Sequence, residues 1–136
     1  MPDIRIDNRG KALAAVLAAG AVLAVIFVRR PVPGAYPVCI FHSLTGLYCP
    51  GCGSLRATYQ LLHGHLRAAF DLNPLFVVML PVLAYAPASW LRLLLTGKSL
   101  PEFSPPARAT WSILFVIAAF WIARNVPVYP FTQLAP

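Results

Sequence analysis

Apolar residues fall into three long runs separated by polar stretches. Residues 12–28 are 17 positions without a charge, between Lys11 and Arg29-Arg30. Residues 74–91 are 18 uncharged positions ending at Arg92, and Leu93-Leu94-Leu95 extends them. Residues 109–123 are 15 positions between Arg108 and Arg124. A helix crosses a bilayer core with about 20 residues, within a range of roughly 17–25. The first two runs qualify directly. The third qualifies if its helix starts at Pro105, with Ser104 as N-cap and proline in the first turn, which gives 20 residues to Arg124. Asn73-Pro74 repeats that start signal for the second run, and Gly97 is its expected stop. Pro81 and Pro87 should kink this helix.

The pattern therefore predicts an all-α, single membrane domain over 1–136, with spans at about 11–28, 74–95 and 105–124. Composition agrees. Of 136 residues 59% are apolar and only 11% charged, against about 25% charged in soluble domains. The same figures exclude a disordered chain. The first run has basic residues before it, as a signal peptide does. It is too long for an h-region, however, and Arg29-Arg30-Pro31 stands where small residues should mark cleavage. Ala14, Ala15, Ala18, Ala19, Gly20 and Ala24 make this helix smooth enough for close packing. Trp90 and Trp111 would mark one membrane interface and Trp121 the other.

Three spans put the termini on opposite faces. Six basic residues (Arg5, Arg9, Lys11, Arg92, Lys98, Arg108) then oppose five (Arg29, Arg30, Arg56, Arg67, Arg124). The positive-inside rule leans to a cytoplasmic N-terminus, in a multi-pass protein of the cell membrane. The net charge of +7 is split between the faces, and no nucleic-acid motif accompanies it.

The connection 29–73 is far longer than the 2–8 residues usual between helices. It holds all three cysteines and all three histidines. Cys39, His42, Cys49 and Cys52 read as C-x2-H-x6-C-x2-C, a set able to close a tetrahedral zinc site. His63 or His65 could replace His42 as fourth ligand. The C-x2-C spacing also suits a redox dithiol or a structural disulfide, and buried thiols can simply pack. A short interfacial or re-entrant helix is expected over 51–63, after the Cys49-Pro50-Gly51-Cys52-Gly53 turn and ended by Gly64. At 100° per residue its polar stripe would hold Cys52, Arg56, Tyr59 and His63, opposite Ala57 and Leu61. Arg56 on that stripe could favour a thiolate, bind an anion, or snorkel to lipid phosphates.

These residues resemble a family of small bacterial membrane proteins, domain-of-unknown-function family 2752. Its hallmark is a cysteine, then T-G-x-x-C-P-G-C-G-x-T-R-A, then L-x-G and N-P. The matching positions are Cys39, Thr45-Gly46, Cys49 to Gly53, Arg56-Ala57, Leu62, Gly64 and Asn73-Pro74. The resemblance covers about residues 39–124. Leu55 departs from the family threonine, with Ser54 beside it, and His42 and His65 lie outside the pattern. The resemblance implies a bacterial multi-span protein with three shared cysteines, and no activity.

Three functions follow as expectations. The first is a non-enzymatic membrane protein in which Cys39, Cys49, Cys52 and His42 hold a structural metal such as zinc. The second is a membrane thiol–disulfide exchanger using Cys49 and Cys52. The third is an assembly subunit whose motif loop docks a membrane protein partner or a lipid of the bilayer through Arg56. No Ser-His-Asp set, phosphate loop or carboxylate pair supports hydrolysis or phosphoryl transfer, so no catalytic residue is assigned.

Overall fold

The structure is a computed structural model that describes residues 4–32 and 39–134, with the side chains of 4–7 and 133 outside the description. Residues 33–38 of the long connection and the Arg5 side chain thus lie outside the described residues. The described chain is all-α. Helices α1 (Ile4–Val28), α2 (Ile40–Thr45), α3 (Ser54–Leu62), α4 (Leu66–Leu72), α5 (Pro74–Thr96) and α6 (Ala107–Ala123) are followed by a 3-10 turn at Phe131–Leu134.

Two helices are long and apolar enough to cross a membrane, over Asn8–Val28 and Pro74–Thr96. They end where the sequence indicated. Gly97, at φ 74°, adopts the left-handed conformation that stops α5. Helix α5 continues through Pro81 and Pro87. The third run is shorter than expected. Pro106 stands at the N-cap in extended conformation with no side-chain cap, and α6 starts at Ala107, not Pro105. Its backbone is fixed by two consecutive prolines, whose rings disfavour the helical region for the residue before each. Helix α6 therefore has 17 residues.

The chain divides into two compact units, Met1–Val25 with Met79–Phe103, and Ile26–Val78 with Ser104–Pro136. In the first, the segment after α5 folds back on its own helix. The Leu100 N–H donates to Ser89 Oγ (3.0 Å), and the Tyr85 hydroxyl donates to the Pro101 carbonyl. In the second, Ala57 of α3 and Ala69 of α4 are fully buried, small enough to let backbones approach closely. Beside them the core holds two polar side chains, Asn73 and Arg124, at 0% and 2% exposure.

The connection is more structured than the sequence suggested. The expected helix over 51–63 is shorter, and α2 and α4 join it as extra elements. Both are of six or seven residues, too short to display a 3.6-residue period. Asp71 lies within the end of α4. Cys52 precedes α3, so the helical stripe that would align it with Arg56 does not extend to it.

Candidate metal centre

Local turns bring the cysteines together. Helix α2 stops at Gly46, at φ 73°, whose N–H donates to the His42 carbonyl. Thr45 Oγ1 then accepts the Leu47 N–H (3.1 Å), directing the chain toward Cys49. The Cys52 N–H donates to the Cys49 carbonyl (3.1 Å) and the Ser54 N–H to the Gly51 carbonyl (3.1 Å), forming successive turns. Gly53 sits at φ 86° as the N-cap of α3, a backbone state that side chains disfavour.

The three thiols are unbonded and half-buried. Cys39 Sγ lies 3.5 Å from Cys49 Sγ, and Cys49 Sγ lies 3.0 Å from Cys52 Sγ. All three sulfurs fall within 4.8 Å of one another. The Cys49 N–H also points at Cys52 Sγ (3.2 Å). Thiolates around a tetrahedral zinc ion, each at about 2.3 Å, stand about 3.8 Å apart. The two closest sulfur pairs, at 3.5 and 3.0 Å, would open toward that spacing around an ion, and the soft sulfur set suits a thiophilic one.

The thiols are not equivalent. The His42 backbone amide and then the Cys49 thiol hold Cys39 below the usual thiol range. Burial, followed by the Cys49 thiol, pushes Cys52 up to about 12.

Behind the turn stands a shell of distant residues. Asn73 Nδ2 donates to the carbonyls of Pro50 (2.9 Å) and Cys52 (3.1 Å). Its Oδ1 accepts the Phe76 N–H (3.0 Å) and so caps α5. Asn125 clasps Tyr48 at both backbone groups, accepting its N–H (2.8 Å) and donating to its carbonyl (2.9 Å). Arg124 Nη1 reaches the carbonyls of Cys49 (3.3 Å), Pro50 (3.5 Å) and Cys52 (3.2 Å). Its guanidinium lies 5.9 Å from the Tyr48 ring centre and 5.1 Å from that of Phe120. Nε and Nη2 are buried without a hydrogen-bond partner among the described residues. Negative charge on Cys52 or Cys49 would stabilise this cation.

The other expected site residues lie elsewhere. His42 Nδ1 contacts the Leu47 carbonyl (3.2 Å), and its ring stacks on Tyr48 at 4.6 Å. It does not join the group of ligand atoms formed by the sulfurs. His63 is packed between Tyr59 (4.1 Å) and Phe27 (4.6 Å), with Nδ1 on the Tyr59 carbonyl. His65 Nδ1 contacts Gln60 Oε1. Among the described residues no hydrogen bond joins Arg56 to a cysteine; its charge instead opposes that of Arg124. Arg124 and Asn125 were not singled out by sequence, because a basic residue closing an apolar run looks the same whether it snorkels or folds inward.

Residues 39–87 match the model of the family described as "Protein of unknown function (DUF2752)". The match spans the three cysteines and Asn73 and ends before α6. Comparisons with curated proteins and with solved structures gave no match.

Proposed function

We propose that the chain is a multi-pass bacterial membrane protein in which Cys39, Cys49 and Cys52 hold a divalent thiophilic ion, zinc above all, in a structural role. The observation that carries this reading is the convergence of three sulfurs within 4.8 Å, two of them from the Cys49–Cys52 turn and one from the start of α2. Bound metal would tie α2 to the turn that precedes α3. His42 or an outside donor would have to complete the shell. In the membrane reading, α1, α5 and α6 are the spans. Only 11% and 6% of the apolar stretches of α1 and α5 are buried within the protein, whereas core helices of soluble proteins are mostly covered. Residue 100 would face the cytoplasm, and residue 45 and the C-terminus the outside.

Elemental analysis of the purified chain, with thiol counting on the same sample, tests the metal. About one equivalent of metal per chain is expected, lost in Cys52→Ser. Protein that carries no metal as purified and is fully alkylated, unaffected by mild oxidant, would remove both the metal and the redox reading.

The 3.0 Å approach of Cys49 and Cys52 favours a second reading, thiol–disulfide exchange. The two thiols would give two electrons and two protons to a partner disulfide. The partner's S–S bond breaks to two thiols as the Cys49–Cys52 bond forms. Reversible, oxidant-dependent loss of two titratable thiols would support this reading over the metal.

A further inference from the structure

The first compact unit contains a cleft of about 1320 Å³ that the cysteine centre does not use. It lies between the early turns of α1 and the last turns of α5, where both apolar helices become polar. Among the described residues that line it, Arg9, Lys11 and Lys98 are basic and none is acidic. Arg9 reaches across to the end of α5: a Cβ at Gly97 would stand 2.8 Å from its Nη2. A glycine there admits the guanidinium close to the negative end of the α5 dipole. The cleft is amphipathic. Ala12, Ala15, Trp90 and Leu93 supply apolar surface beside the cations, and Ser89 and Ser99 supply hydroxyls. Its volume exceeds the roughly 300–1,000 Å³ of ordinary small-ligand pockets, and so exceeds what an isolated phosphate would fill.

We infer that this cleft binds the phosphodiester of an anionic phospholipid, with the phosphate on Arg9 and Lys98 and the upper acyl chains along Trp90 and Leu93. The inference rests on the membrane reading and is independent of the metal. Basic pockets between membrane helices are suited to such headgroups by charge. Trp90, 41% exposed, offers the half-apolar ring favoured at that depth.

The test uses the full chain reconstituted in vesicles of phosphatidylcholine, with or without phosphatidylglycerol. Lipid retained per chain is counted by native mass spectrometry. Retention of phosphatidylglycerol over phosphatidylcholine is expected, and Arg9→Gln with Lys98→Gln should reduce that preference roughly tenfold. Arg92→Gln with Arg108→Gln removes the same charge outside the cleft and should leave it intact. An equal loss in both double variants, or no loss in either, would overturn the cleft assignment. Displacement of the lipid by soluble glycerol phosphate at equal concentration would overturn the lipid and leave a soluble phosphate ester as ligand. Failure of the wild-type chain to enter the vesicles would defeat the membrane reading itself, an outcome distinct from insertion without lipid preference.

Discussion

Arg124→Met separates the role of the buried guanidinium in the metal centre from a role in packing alone. In metal-free protein the loss is small. The three carbonyls that Nη1 reaches keep other donors: Asn73 Nδ2 serves Pro50 and Cys52, and the Cys52 N–H serves Cys49. What disappears is charge-assisted bonding of about 1.5–3 kcal/mol. Against this, the variant removes a buried charge and two unpartnered atoms, Nε and Nη2. Each such orphan group costs about 1–3 kcal/mol, so relieving two of them offsets or exceeds the lost bonding, and metal-free stability should fall by no more than about 1 kcal/mol. Metal-loaded protein differs. Three thiolates around a divalent ion would leave one net negative charge, which Arg124, bonded to the Cys49 and Cys52 carbonyls, would balance. An opposite pair at 4 Å is worth about 4 kcal/mol at an effective dielectric near 20, and about half that at twice the distance. Arg124→Met should therefore weaken zinc binding roughly 30- to 1,000-fold, while Arg124→Lys, which keeps the charge, stays within about tenfold of wild type. Competition with a chromogenic chelator reads the affinity, and thermal unfolding of the metal-free protein reads the stability. Lower metal-free stability with unchanged zinc affinity would refute the reasoning.

Asn73→Ala removes a helix cap and two buried donors and should cost about 3 kcal/mol, read as a lower Tm. In metal-free protein, iodoacetamide should modify Cys39 first and Cys52 last, as mass spectrometry of quenched samples would show, because the thiolate is the nucleophile. The raised Cys52 value means that the folded state keeps a proton the unfolded chain loses near pH 8.5, so metal-free Tm should fall as pH rises from there toward 12. Cys52→Ser should flatten that part of the profile. His42→Ala should keep the wild-type metal content if an outside donor completes the shell, and Arg56→Lys should behave like Arg67→Lys in both metal content and Tm.

Much of this protein is legible in one dimension. Helices α1 and α5 follow from apolar runs long enough to set their own limits, and Gly97 and Asn73-Pro74 mark ends through backbone conformation and capping, which are local effects. The gathering of Cys49 and Cys52 is local too, since a turn of four residues decides it. The start of α6 was misjudged because Ser104-Pro105-Pro106 satisfies the capping pattern in residue type but not in backbone. What only the tertiary structure decided is which distant groups meet the turn. Arg124 and Asn125 lie more than 70 positions from the residues they hold, and Asn73 lies 21 and 23 positions from Cys52 and Pro50. Composition near those residues carries no mark of the pairing. Ala57, Ala69, Asn73 and Arg124 are all withdrawn from solvent. Once withdrawn, the polar atoms of Asn73 and Arg124 must find carbonyls or charge, because an unpaired group costs more inside than a hydrogen bond to water returns outside. His42 shows the converse. Its spacing fits a ligand, and its ring stacks on Tyr48, a contact that no spacing rule contains.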